Sequence, residues 1–118
     1  MGWLRAGVGV ALIAAPGTAM RLGGRPGASG AELLLMRTIG IRDLVLGAGT
    51  VVAARSGDAS GAGRWVAAGL ASDSLDAVVS LASRRDIGTR EALGAAVLAL
   101  TFAGGDVLAR RQLPAQAR

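Results

Sequence analysis

The sequence predicts an all-α protein, a four-helix transmembrane bundle, and three observations carry that reading. Hydrophobic residues make up 52% of the 118-residue chain and charged residues 18%, below the quarter usual in soluble proteins. The apolar content falls into four runs that approach the length needed to cross a bilayer core. Most charges and helix breakers gather between the runs. A soluble Ala-rich bundle is the alternative, but it would carry a charged face on every helix. Residues 6–20 and 92–105 are uncharged over 15 and 14 consecutive positions.

The first helix is placed at residues 4–20, around the uncharged run 6–20, with Arg5 and Arg21 as flanking anchors. Pro16 is expected to kink its last turn, because proline lacks a backbone N–H and crowds the preceding turn. Arg5 followed by an apolar run and Gly17-Thr18-Ala19 loosely imitates a cleavable leader. The small-residue site is poor and Pro16 stands close to it, so the segment is read as a retained helix. Ala6 stands where an N-myristoylation signal needs Ser or Thr.

The second helix is placed at residues 31–54, after a connection rich in Gly, Pro and Ser at 21–30. The third follows at 65–83, after a similar connection at 55–63, and the fourth at 90–108, with Thr89 as its cap. Residues 1–110 are expected to form one domain, and 111–118 a polar tail. Gly7, Ala11 and Ala15, like Ala95, Ala99 and Ala103, repeat small residues every four positions, a pattern of close helix packing inside the bundle or in a homo-oligomer. Trp3 and Trp65 read as anchors at the membrane interface.

Composition excludes several classes of function. Cysteine and histidine are both absent, which removes thiolate chemistry and most transition-metal sites, so neither a metal nor a cofactor is expected. All 13 basic residues are Arg, as in chains from high-GC bacterial genomes. They punctuate apolar runs and lack aromatic partners on a shared surface, so no nucleic-acid partner is expected. Gly47-Ala-Gly49 lies within an apolar span without the strand and turn that nucleotide binding requires. Counting arginines by side gives six against five, too even for the positive-inside rule to orient the chain.

The chemistry is expected in the middle two helices. At 100° per residue, Gly40, Asp43, Gly47 and Thr50 share one face of the second helix, with Arg37 at its border. In the third, Gly69, Ser72, Asp73, Asp76, Ser80 and Ser83 fall within about a 100° arc, while Leu70, Leu75, Val78, Val79 and Leu81 lie outside it. A polar stripe over four turns is costly against lipid, so the two faces are expected to meet across an internal cleft. Arg42 points about 100° from Asp43, which assigns them different partners. The candidate ligand- or proton-handling set is Arg37, Arg42, Asp43, Ser72, Asp73 and Asp76. Two guanidiniums then face three carboxyls, and in low dielectric one of those carboxyls is expected to hold a proton. Glu32, Arg64, Glu91, Asp106 and Arg110 are expected near helix ends, with Asp106 and Arg110 as an i,i+4 pair.

The run Arg37-x-x-Gly40-x-Arg42-Asp43-x-x-x-Gly47, followed by Asp73-x-x-Asp76, resembles that of small four-span integral membrane proteins of high-GC bacteria, a family without an assigned activity. The resemblance implies the fold over nearly the whole chain and leaves the function open. Three functions fit the residues. The leading one is a multi-pass protein of the cytoplasmic membrane, whose partners are the bilayer and a small lipophilic or cationic ligand that it binds or transports, with proton coupling through an aspartate. The others are a membrane-embedded acid–base enzyme of the isomerase or epoxide hydrolase type, and a structural subunit whose charges only join helices.

Overall fold

The computed structural model describes residues 1–111, and among them the chain is helical with short connections. The helices are α1 (Gly2–Ala14), α2 (Pro16–Leu22), α3 (Gly30–Arg55), α4 (Ala59–Ala82), α5 (Arg84–Ile87) and α6 (Thr89–Arg111). Most of the expected tail lies outside the described residues, although Arg111 still belongs to α6.

The first expected helix is broken, and proline is the cause. Ala15 leaves helical geometry at φ −136° and ψ 56°, as a residue before proline tends to. Pro16 opens α2 at its first turn, where its missing N–H is harmless. The two helices therefore meet at 106°, far beyond a kink in a last turn.

The other boundaries follow from capping. Ser29 and Glu32 form a capping box at the start of α3: the Ser29 hydroxyl accepts from the Glu32 backbone N–H, and the Glu32 carboxylate accepts from that of Ser29. Asp58 accepts from the Gly61 backbone N–H and starts α4 six residues before the expected Trp65, because a good cap outweighs the low helix propensity of Gly61 and Gly63. The short connection before α4 turns on Gly57, whose φ of 77° suits glycine. The expected link at 84–89 contains the single turn α5, and Thr89 is the first residue of α6.

The helices pack in sequence order around a thin interior: α1 on α3, α3 on α4, and α4 on α6. The α1–α3 contact is the closest. A methyl group at Gly9 would lie 2.5 Å from the Leu44 backbone nitrogen and 2.6 Å from the Gly40 carbonyl oxygen. The expected Gly7, Ala11 and Ala15 stripe is not the packing face within the chain, since all three are exposed and nothing lies within 4 Å of a methyl placed at Gly7. The contact uses Gly2, Ala6 and Gly9 instead, against Gly40, Leu44 and Gly47. On α6 the buried stripe is Ala92, Ala96, Ala99 and Ala103, so Ala99 and Ala103 face inward as expected and Ala95 does not.

Side chains join α1 to α6. The Met1 thioether covers Gly105, and the Arg5 guanidinium lies 5.3 Å from the Phe102 ring centre while reaching Asp106 on α6. Trp65 is half-buried with its ring against Gly49, so it packs between α4 and α3 rather than standing free as an anchor. Trp3 is exposed, with the Arg55 guanidinium 4.8 Å from its ring centre.

Size is distributed inside out. Among the described residues, the buried apolar ones are seven alanines and Val66 and no large side chain is fully buried, whereas Leu34, Ile41, Val45, Val52, Leu75, Val78, Leu93 and Val97 are all more than half exposed. Helices α4 and α6 are each long and apolar enough to cross a membrane, and the bent α1–α2 pair supplies a third candidate. Length and apolarity thus mark two or three of the four expected spans. Arg42 and Asp43 sit in the middle of α3, with Arg37 nearer its start, and the three lower its apolar character.

Candidate functional site

Four helices each send one charged side chain to the same interior point. On α4, the buried positions Ala62, Val66, Gly69, Asp73 and Ala77 recur every three or four residues, so Asp73 shares the inner face with four small or apolar residues. On α3, Gly40, Asp43 and Gly47 do the same. On α6, Asp106 continues the alanine stripe one step further, and on α1 Arg5 stands one turn before Gly9.

Arg5 is the centre of this group. Its Nη2 donates to Asp73 Oδ2 and, at 3.0 Å, to Asp106 Oδ2, while its Nη1 lies 3.6 Å from Asp43 Oδ1. Arg5, Asp73 and Asp106 are each 3% exposed and Asp43 is 6% exposed. Gly69 makes room for the contact, because a methyl there would lie 2.6 Å from Asp106 Oδ2 and 3.3 Å from the Arg5 guanidinium carbon. Among the described residues, the Arg5 Nε and Nη1 groups find no hydrogen-bond partner, a costly condition for buried donors.

A second ion pair joins this centre from the α3–α4 seam. Arg42 donates through Nη1 to Asp76 Oδ2, and through Nε and Nη2 to Asp43 Oδ1 at 3.3 and 3.2 Å. The side chains of Arg42 and Asp76 are 31% and 43% exposed. Asp76, Arg42, Asp43, Arg5, Asp73 and Asp106 therefore form one continuous chain of opposite charges, half-exposed at one end and buried at the other. Its composition is two guanidiniums against four carboxyls.

Several expectations change here. Asp43, Asp73 and Asp76 come together with Arg42, and Ser72 lies half-buried on the same stripe. Arg42 and Asp43 do not serve separate partners, since the long guanidinium bends back to its neighbour while also reaching Asp76. Arg37 belongs elsewhere: it is exposed, and its Nε donates to the Ile13 carbonyl oxygen at 3.4 Å. The break at Pro16 leaves carbonyls at the C-terminal end of α1 without helical partners, and a cation suits that end.

The residues missed by sequence reasoning are Arg5 and Asp106. Arg5 looked like a flanking anchor because it precedes an apolar run, yet it is interior and drops out of the count of arginines by side. Asp106 looked like an end residue paired with Arg110, but it turns inward to Arg5. One signal for Asp106 was present, since positions 92, 96, 99, 103 and 106 form a single inward stripe. Among the described residues, no group of three or more acidic side chains has metal-binding geometry. Compared with protein-family models, with curated proteins and with solved structures, the chain matches none.

Proposed function

We propose that the chain is a multi-pass protein of a bacterial cytoplasmic membrane, and that its interior ion-pair chain binds and passes a proton or a small cationic solute. The membrane part of the reading is supported by the inside-out distribution of size. Leucines and valines cover the outside and charges occupy the inside, an arrangement that is unfavourable in water and favourable in lipid. In this reading α3 is also a span, since Asp43 is buried in the interior and Arg42 reaches it, and α2 turns along the surface where α1 ends.

The functional part rests on the composition of the cluster. Four carboxyls and two guanidiniums form a connected path from half-exposed Asp76 to buried Asp106. The surplus of carboxyls suits a proton or a cation, and the half-exposed Arg42–Asp76 pair supplies an entrance that a purely internal lock would not need.

Asp76→Asn separates carriage from scaffolding. It preserves shape and most hydrogen bonding while removing the ionisable carboxyl. Arg42 keeps Asp43 as a partner, and the lost pair is partly exposed, so the stability cost is about 1 kcal/mol. The variant is expected to insert and fold. The assay reconstitutes the full chain in liposomes holding a pH-sensitive dye, with tetraphenylphosphonium as the cationic probe. Wild type should show probe-dependent proton movement, and Asp76→Asn should lose it. A folded variant with unaltered proton movement, or a wild type that moves neither proton nor probe, would defeat the proposal.

A further inference from the structure

Away from the ion-pair chain, the angle between α1, α2 and the start of α3 encloses an open concavity of about 550 Å³. Its lining includes Pro16, Thr18, Arg21, Gly27, Leu33 and Arg37, with no acidic residue. We infer that this concavity is a binding site for a phosphate group, carried by a lipid headgroup or by a soluble phosphate compound, with Arg21 and Arg37 as its cationic ligands.

The first argument is charge. Neither Arg21 nor Arg37 has a carboxylate within ion-pair distance among the described residues, although most of the acidic residues are paired. Arg21 donates from Nη2 to the Thr18 hydroxyl at 3.2 Å, and Arg37 from Nε to the Ile13 carbonyl. Each retains further N–H groups in the planar fork that suits phosphate oxygens. The nearby Glu32 does not supply the missing anion, because it is occupied by Arg25 at 3.1 Å and by its cap with Ser29.

The second argument is placement. The 106° bend carries Arg21 away from the axis of α1 and sets it across from Arg37 on α3, beside a connection containing Gly24 and Gly27 at positive φ. This is an end of the bundle. On the membrane reading it lies at headgroup depth, where arginine meets phosphate; only the lipid source depends on that reading. The volume is in the range of small-ligand sites, and Leu33 gives the concavity an apolar wall.

The test uses the full chain in non-ionic detergent, titrated separately with phosphatidylglycerol, phosphatidylcholine and inorganic phosphate. Binding is counted by native mass spectrometry and checked by thermal melting. Wild type should bind one phosphatidylglycerol at least about fivefold more tightly than phosphatidylcholine, and Arg21→Gln should weaken this by about fivefold. The double variant Arg21→Gln/Arg37→Gln should abolish the preference. Arg21 is exposed and its guanidinium donates to the exposed Thr18 hydroxyl, so the single variant retains the fold if Arg37→Gln does not. Inorganic phosphate that displaces phosphatidylglycerol would identify a soluble phosphate compound as the ligand, whereas failure to compete would identify the lipid. Asp76→Asn lies outside the concavity and should bind as wild type does, whatever becomes of solute passage. The inference is overturned if wild type neither prefers the anionic lipid nor binds phosphate, or if Arg21→Gln binds both unchanged.

Discussion

Replacing Arg5 by Met is the most severe single change that the structure predicts. Met fills much of the same volume but leaves Asp43, Asp73 and Asp106 facing one another at 3–6% exposure without their shared cation. At an effective dielectric of about 20, contacts of 3.0 to 3.6 Å each correspond to roughly 5 kcal/mol of attraction before desolvation. Desolvation of the guanidinium and repulsion among the carboxyls consume much of this. The net loss on breaking a buried pair is about 3–5 kcal/mol, equivalent to a fall in Tm of about 12–20 °C. Thermal melting of the detergent-solubilised chain measures it, with size-exclusion homogeneity as a second readout. Arg5→Lys, which keeps the charge but loses the planar fork, should fall between the two. Removing a carboxyl together with the cation, as in Arg5→Met/Asp106→Asn, should recover part of the loss, because the effects of residues in direct contact are not additive. An Arg5→Met protein that melts with wild type would refute the placement of Arg5 at the centre of the bundle.

The packing of α1 against α3 gives a paired prediction. Gly9→Ala should destabilise by about 1–3 kcal/mol, because the added methyl meets backbone atoms that cannot move aside. Gly7→Ala, on the open face of the same helix, should be neutral or stabilising by up to about 1 kcal/mol. Melting curves that rank these two variants in the opposite order would place the wrong face of α1 against α3. The outward leucines and valines predict that the chain fractionates with membranes and needs detergent for extraction. Recovery of a stable detergent-free monomer would contradict the membrane reading.

Helical periodicity made much of this molecule legible. A side chain's direction around its own helix follows from residue spacing alone, so the inward face of Gly40, Asp43 and Gly47 could be read from the sequence, and so could the polar stripe through Gly69, Asp73 and Asp76. The break near Pro16 was readable for the same local reason, since it lies in the covalent geometry of one residue. Its 106° size was not, because the angle depends on what α2 packs against after the break.

How α1 and α6 join the expected α3–α4 seam, and at what level, was decided only by tertiary structure. Arg5 carries no periodic signal beyond its place before an apolar run, and only the stagger of α1 against α3 brings it to the level of Asp73 and Asp106. Arg37 and Arg42 are similar in sequence, five residues apart on one helix. One meets the broken end of α1 and the other meets Asp43 and Asp76. A long guanidinium can reach partners several ångströms from its own helix face, so its role depends on neighbours that the sequence of that helix does not contain.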